Sequence, residues 1–408
     1  MECLTFHQRY CKMPKMWISR EIEATLLRSA ASRPAVVLTG CRQAGKTSLL
    51  VRTFPEHRHV SLDVPAVAEE AEHSGEAFLG RNRPPVILDE VQYAPLLLRH
   101  VKADIDRHRE ETGRFLITGS QSFPVMEGVT ESLAGRASVL TLHSLSAREY
   151  EAWSGEALDR EGILRWMLRG GYPELHARGL DAERFYGDYL ATYLERDVRT
   201  ILGVRSLRDF DRFMRLCAAR TGQLVSYSSL ATDLGVSPNT VKSWLSVLHA
   251  SNIVFLLKPY FENLGKRIVK TPKLYFLDTG LCSYLLGART PEDLLSSPML
   301  GPMFETHVLG QIARHFANQG RRREIYFYRD HHGHEVDFLL PVAGRFALIE
   351  CKWAESPAAP GGFSELESLV GPQRILSRTI VTPRRGSRRV SSTVTVADSV
   401  ALDFLESC

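Results

Sequence analysis

One fifteen-residue stretch limits what this chain can fold into: Val36-Val-Leu-Thr-Gly-Cys-Arg-Gln-Ala-Gly-Lys-Thr-Ser-Leu-Leu50. Val36 to Leu38 read as a buried strand, and Ser48, Leu49 and Leu50 as the opening of a helix. Between them Gly40, Gly45, Lys46 and Thr47 keep the G-x-x-x-x-G-K-T spacing, with Cys41, Arg42, Gln43 and Ala44 as the intervening loop. Backbone N–H groups and the positive helix end then surround an anion, so the loop holds phosphate. Lys46 is placed to reach the β- and γ-phosphates, and Thr47 to put its hydroxyl on Mg²⁺. This is a nucleotide site, with ATP and Mg²⁺ the expected occupants.

A phosphate loop needs a magnesium carboxylate nearby. Val86-Ile-Leu-Asp-Glu90 supplies it as an apolar run that ends in two acids. Asp89 is expected in the Mg²⁺ shell, and Glu90 is expected to polarise the attacking water. Arg114-Phe-Leu-Ile-Thr-Gly-Ser120 reads as a third central strand, and either Thr118 or Ser120 can sense the γ-phosphate or that water. Arg136 follows in a loop between a helix and a strand. An arginine so placed can stabilise phosphoryl-transfer charge on a neighbouring subunit's nucleotide, which implies a homo-oligomer, a ring being one form. A second strand is expected at Val60–Val64, and a short leading helix from Ser19, its N-cap, to Arg28. Strands alternating with helices predict a mostly parallel sheet with nucleotide at its carboxyl edge.

These segments, with Leu133-Ala-Gly-Arg136, Gly170-Gly-Tyr-Pro-Glu174 and Tyr189-Leu-Ala-Thr-Tyr-Leu-Glu-Arg-Asp-Val198, carry a family resemblance. They resemble a widespread prokaryotic family of AAA-type P-loop ATPases with a C-terminal restriction-endonuclease-like domain of unknown function. The resemblance runs from about residue 18 to 405, and the order of the motifs carries it. At 408 residues the chain exceeds one ordinary core. The expected division is a lead (1–17), an AAA-type core (18–143), a helical subdomain (144–220), a winged-helix-like module (221–265) and a restriction-endonuclease-like α/β domain (266–408).

The 51 basic and 47 acidic residues leave a net charge of +4, too small to name a nucleic-acid partner and no obstacle to one. Seven cysteines without a C-x-x-C pair read as reduced thiols. No signal-peptide core and no run of eighteen apolar residues is present. A cytoplasmic protein without membrane contact is expected.

Glu195, Arg196, Asp197 and Arg199 form a charged patch that suits a nucleotide, a subunit contact or a solvated helix face. From Ser228 to Leu248 the pattern is helix, turn at Gly235, then a second helix starting at Ser237 or Asn239. Val241, Trp244, Leu245 and Leu248 line its inner face, while Asn239, Thr240, Lys242, Ser243 and Ser246 point outward. With the strand at Ser251–Leu257 this looks like a winged helix, suited to duplex DNA or to protein packing. The same ATPase family carries a Lys-x-Tyr-x-x-Asp-x-Gly stretch, here Lys273, Tyr275, Asp278 and Gly280, for which structural use is expected.

In the last third, Glu305 lies on a helix, Asp337 on one strand and Glu350 with Lys352 on the next. One hairpin brings Asp337 and Glu350 to adjoining strands, and strand alternation puts Glu350 and Lys352 on one side. The set resembles the Asp and Glu-x-Lys pattern of restriction-endonuclease-like folds. It implies Mg²⁺ or Mn²⁺ on Glu305, Asp337 and Glu350, with Lys352 orienting water. His331, His332 and His334 read as a solvent-facing turn. Arg374, Arg378, Arg384, Arg385, Arg388 and Arg389 form an acid-free run that suits phosphate or plain solvent. A last strand (Val390–Val396) and a closing helix (Ser399–Leu405) are expected. Three functions remain open: an ATPase acting on DNA, a nucleotide-gated protein-interaction switch with an inactive nuclease fold, and a DNA-binding scaffold with slow ATPase and no nuclease.

Overall fold

The computed structural model describes residues 17–119, 132–193, 207–260, 270–354, 357, 360–406 and 408. It is a mixed α/β protein with a parallel N-terminal sheet and a separate C-terminal sheet. Strands β1 (Ala35–Gly40), β2 (Arg58–Ser61), β3 (Val86–Asp89), β4 (Phe115–Thr118) and β5 (Ala137–Leu142) build the first. Their order is β2-β3-β4-β1-β5, and every pairing is parallel. Residues of β1 alternate between two cores, as strand geometry requires. Ala35 and Val37 join a local core with Leu97, Val101 and Ile105 of α3 (Leu97–Arg107). Val36 and Leu38 instead enter a core that extends through the middle of the chain into the C-terminal part. The ATPase sheet therefore shares one of its two faces with the rest of the protein.

The leading helix, α1 (Glu23–Ser32), starts later than expected, and Ile22 rather than Ser19 stands at its N-cap with no side-chain bond. Strand β2 ends at Ser61, short of Val64. Helix α2 (Lys46–Thr53) follows the phosphate loop. The helical middle comprises α4 (Ala147–Ser154), α5 (Arg160–Arg169), α6 (Ala182–Tyr193) and α7 (Leu207–Ala218). Tyr172, Phe185, Tyr186 and Tyr189 pack ring against ring there.

Next come β6 (Gln223–Leu224), α8 (Tyr227–Leu234), α9 (Pro238–Ala250), β7 (Val254–Pro259) and β8 (Lys273–Phe276). Gly235 ends α8 in the left-handed region at φ 71°, and Ser237 caps α9 by accepting the Thr240 N–H. Strand β8 pairs antiparallel with both β7 and β6, so the expected boundary at 265/266 falls inside this hairpin.

Helix α10 (Thr279–Leu286) leads to α11 (Leu300–Asn318), then β9 (Tyr326–Arg329), β10 (Glu335–Val342), β11 (Arg345–Cys351), α12 (Gly361–Val370) and β12 (Ile375–Thr382). β9, β10 and β11 run antiparallel, and β12 returns parallel to β11 after α12. Phe304, Val308 and Ile312 of α11 pack in the large core, and Phe363 and Leu366 of α12 in another. β7 pairs parallel with β9 and joins the helix–turn–helix hairpin to this sheet as nine continuous strands. The expected last strand is instead two, β13 (Arg388–Arg389) and β14 (Thr395–Asp398), joined by a tight turn. The expected closing helix is one 3₁₀ turn at Asp403–Leu405.

Asp278 ties these parts together. Its carboxylate accepts from Ser144 Oγ (2.8 Å), the Gly171 N–H (2.9 Å) and Tyr186 OH (3.0 Å), and it caps α10 through the Gly280 N–H. A side chain on Gly280 would strike Tyr186 OH and the Arg169 carbonyl, so the Asp-x-Gly and Gly-Gly-Tyr motifs are two halves of one contact. The expected structural use of Asp278 and Gly280 matches this geometry.

His307 on α11 is 1% exposed, and burial, with Arg314 adding, pushes its imidazole down to about 3. The unfolded chain takes up that proton below about pH 6.5 while the folded chain does not, so stability falls with pH through this window. Replacing it with glutamine removes the effect. The stability advantage of the parent over His307→Gln should shrink by about 1.4 kcal/mol per pH unit between about pH 6 and 4.5, read by denaturant titration; an unchanged gap would refute it.

Candidate functional site

The phosphate loop lies at the carboxyl end of β1. Gly40 (φ 141°) lets the Leu142 carbonyl approach where a Cβ would stand, and Gly45 (φ 90°) turns the chain into α2. Lys46 is buried, and its ammonium donates to the carbonyls of Gly40 (3.1 Å) and Cys41 (2.9 Å). The loop is braced from behind by Arg20, which donates to the Ala44 carbonyl (2.9 Å), the His143 carbonyl (2.7 Å) and Glu149 (3.1 Å). Sequence reasoning missed Arg20, because nothing local distinguishes an arginine ahead of a helix.

With β4 standing between β1 and β3, three side chains meet at this edge. Thr47 Oγ1 donates to Asp89 (2.8 Å), and Thr118 Oγ1 donates to the same carboxylate. Burial works to raise the Asp89 carboxyl, yet hydrogen bonds from His59, Thr118 and Thr47 hold it below the usual range. Asp89 is thus an anion beside a hydroxyl, two oxygens suited to a divalent cation. The Glu90 N–H donates to Thr118 Oγ1 (3.0 Å), and Glu90 sits in the left-handed region at φ 60°, its carboxylate held by Gln92. Strain of that kind collects at functional sites. A cleft of about 620 Å³ runs from Gln43 past Arg178 to Arg184, Asp188 and Tyr189 of α6, so the helical middle borders the loop. Arg42 and Ser48 lie in the loop and first helical turn, and Ser120 and Glu195–Arg199 lie outside the described residues.

Arg136 sits elsewhere. It precedes β5, and its carbonyl accepts the N–H of Ala35, the first residue of β1. That is the amino edge of the sheet, roughly 20 Å from its own phosphate loop at 3.3 Å per residue. There its guanidinium grips Asp106 through two bonds (2.8 and 3.0 Å).

In the C-terminal sheet, the register of β10 and β11 carried one step past Phe338 and Ile349 sets Asp337 opposite Glu350. Asp337 accepts the Cys351 N–H (2.7 Å), and Lys352 pairs with Glu350 (2.8 Å). Burial and the neighbouring carboxylates push both acids up: Glu305 and Glu350 act on Asp337, Glu305 and Glu335 on Glu350 against the pull of Lys352. Glu350 Oε2 is buried without a hydrogen-bond partner. The Asp337–Glu350 pair is therefore short of positive charge, and its oxygens fit a divalent cation. Glu305 is committed differently: one oxygen takes Lys273 Nζ (2.9 Å) and Tyr275 OH. Lys273 also pairs with Glu335, a fourth acid that the sequence pattern did not single out.

On α9, Asn239, Lys242 and Ser243 are exposed and Thr240 and Ser246 half-buried, while Val241, Trp244, Leu245 and Leu248 are buried. Within the arginine run, Arg378 pairs with Glu367 (2.6 Å), Arg385 with Glu151 (3.1 Å) and Arg374 stacks over Phe346, while Arg384, Arg388 and Arg389 are exposed. His334 pairs with Asp330 (2.9 Å) in an open turn. No described helix is long and apolar enough to cross a membrane.

A parallel sheet with a phosphate loop on β1 and an acid-tipped β3 defines an AAA-type P-loop ATPase, and residues 32–151 match the family model described as AAA domain. Two domains of unknown function, DUF8612 and DUF4143, match residues 160–292 and 300–398. The uncharacterised proteins Rv2008c of Mycobacterium tuberculosis and Mb2031c of Mycobacterium bovis are each 33% identical over 356 residues, covering 84% of this chain and 76% of theirs. The chain belongs to the same family as these mycobacterial proteins. Among solved structures, the Walker-type ATPase PABY2304 of Pyrococcus abyssi is similar, with a TM-score of 0.47 and 17% identity over 67% of this chain and 98% of that one.

Lys46→Ala removes the only ammonium on the loop, whereas Thr118→Val removes a hydroxyl one strand away. Fluorescent ATP-analogue titration should show at least about a tenfold loss of affinity for the first, about 1.4 kcal/mol. The second should stay within about threefold, since it removes no phosphate contact.

Proposed function

We propose that the protein hydrolyses ATP at the carboxyl edge of its parallel sheet and couples that turnover to DNA. The observation that carries the first half is the junction of Lys46, Thr47, Asp89, Glu90 and Thr118 around one edge. Lys46 exchanges its loop carbonyls for phosphate oxygens. Thr47 and Asp89 would hold Mg²⁺, which supplies charge neutralisation on the phosphates. Glu90, with its backbone pinned by Thr118, orients the attacking water. Gly40 to Ser48 line the phosphates, and Ser120, two positions after Thr118 in sequence, is a further candidate contact.

Arg136 acts in trans on this reading. Its place at the amino edge keeps it from its own loop, and an oligomer, such as a closed ring, would present it to the next subunit's nucleotide once Asp106 releases it.

The DNA half rests on topology. The succession α7, β6, α8, α9, β7 and β8 supports a winged-helix reading, as does the exposed Lys242 on the polar face of α9. The succession α11, β9, β10, β11, α12 and β12 supports a restriction-endonuclease-like reading, as do Asp337 and Glu350 on paired strands with Lys352 beside Glu350. There Asp337 and Glu350 would hold a divalent cation, Mg²⁺ or Mn²⁺, that supplies Lewis acidity toward a phosphodiester, while Lys352 orients water. A second reading, a protein-directed switch with an inactive nuclease fold, is favoured by Lys273 on Glu305, which takes the helix acid out of the ligand set.

ATP turnover measured with and without duplex, single-stranded and branched DNA separates these. Glu90→Gln should lose at least about a hundredfold in turnover with ATP affinity kept, and Arg136→Ala at least about tenfold. DNA should stimulate the parent, and Lys242→Glu should blunt that stimulation. Turnover indifferent to every DNA, with the DNA left intact in Mg²⁺ and Mn²⁺, would replace the DNA reading with the switch.

A further inference from the structure

Three of the four acids in the C-terminal cluster, Glu305, Glu335 and Asp337, offer oxygens within 4.8 Å of one another. Such a set invites two divalent ions, the arrangement many phosphodiester-cleaving sites use at roughly 4 Å spacing. The two sides of this cluster are furnished differently. On one side Lys273, 2% exposed, places its ammonium on Glu305 (2.9 Å) and on Glu335. Tyr275 OH donates to the same Glu305 oxygen, and Arg329 takes the other Glu335 oxygen (3.2 Å). On the other side Asp337 takes one backbone N–H and Glu350 one lysine, which leaves Glu350 Oε2 buried and unpartnered.

We propose that this cluster is a one-metal site in which Lys273 permanently fills the second cation position. A divalent ion bridging Glu305 and Glu335 would use oxygens already bonded to Nζ and so would sit against the ammonium. On the side of Asp337 and Glu350 the ammonium is that of Lys352, which is half-exposed and takes only Glu350 Oε1, so the buried Oε2 and Asp337 stay open to a cation. Lys273 comes from β8, the strand that pairs with the helix–turn–helix hairpin, so the neighbouring module supplies a permanent part of the site. Alternation along β8 aims Lys273 and Tyr275 at Glu305 together. The proposal rests on the reading of Asp337 and Glu350 as the metal pair.

Mn²⁺ titration of the nucleotide-free full-length chain, with free ion followed by electron paramagnetic resonance, tests both. The parent should take one ion that is lost in D337N/E350Q, and K273M should take two. Far-UV circular dichroism and unchanged ATP-analogue binding check that K273M is folded. Two cluster ions in the parent overturn the proposal, whether or not K273M folds, and so does a folded K273M with the parent's count. An ion in K273M with none in the parent keeps Lys273 as the excluding cation and overturns the Asp337–Glu350 reading. None in either overturns both.

Discussion

The buried contact between Arg314 and Asp278 is the constraint on which the arrangement of modules depends. Arg314 is 4% exposed and donates to the Ser144 carbonyl (3.0 Å), Ser144 Oγ (2.6 Å) and the Leu277 carbonyl (2.7 Å), with Asp278 at 3.7 Å. Those partners belong to the segment after β5, the end of β8 and the cap of α10. Burial works to lower the arginine, and Asp278 opposes that most strongly. Taking out either charge would strand the other in a dry site, at a cost of about 3–5 kcal/mol. A pair of this kind adds little over apolar packing, but it admits one relative placement of three segments that apolar surfaces alone would let slide.

The same residues lie on a path made of buried polar contacts and short stretches of chain. It starts at the Ala44 carbonyl of the phosphate loop and passes through Arg20 to His143 and Glu149. Ser144 is the next residue, and it reaches Asp278 and Arg314. Five residues before Asp278, Lys273 enters the acid cluster. Contact of this sort is mechanical continuity between the nucleotide site and the C-terminal acids, and it becomes coupling only if some element on the path has two positions. The shared core of β1 makes the same point for packing: Val36 and Leu38 are buried by residues far along the chain.

Much of the ATPase edge was legible because its residues are read locally. A phosphate loop needs two glycines, a lysine and a threonine at fixed short spacing, and Asp89 ends an apolar run, so Thr47 and Asp89 could be paired on chemistry before their 2.8 Å contact was known. The turn at Gly235 and the cap at Ser237 were legible for the same reason. Arg20, Glu335 and Arg314 were not, since their partners include residues far along the chain: Glu149 for Arg20, Lys273 for Glu335 and Ser144 for Arg314. The terminal strands were misjudged because alternation at Val390–Val396 says nothing about the turn that divides it. The basic run was not fully legible either, as Arg385 is answered by Glu151, remote in sequence, and Arg378 by Glu367 on the preceding helix.

Lys273-x-Tyr-x-x-Asp-x-Gly280 shows why some motifs resist chemistry read along the chain. Its first half is a strand and its second half a helix start, so the period changes from two to three or four in the middle. Lys273 and Tyr275, two apart, reach the same Glu305 oxygen. Asp278 and Gly280 turn the other way, toward Ser144, Gly171 and Tyr186. Neither half makes sense as one site, because there are two. Eight residues bind the acid cluster on one side and the helical middle on the other, with only the buried Phe276 and Leu277 between Tyr275 and Asp278, so a shift of either module must move both contacts at once.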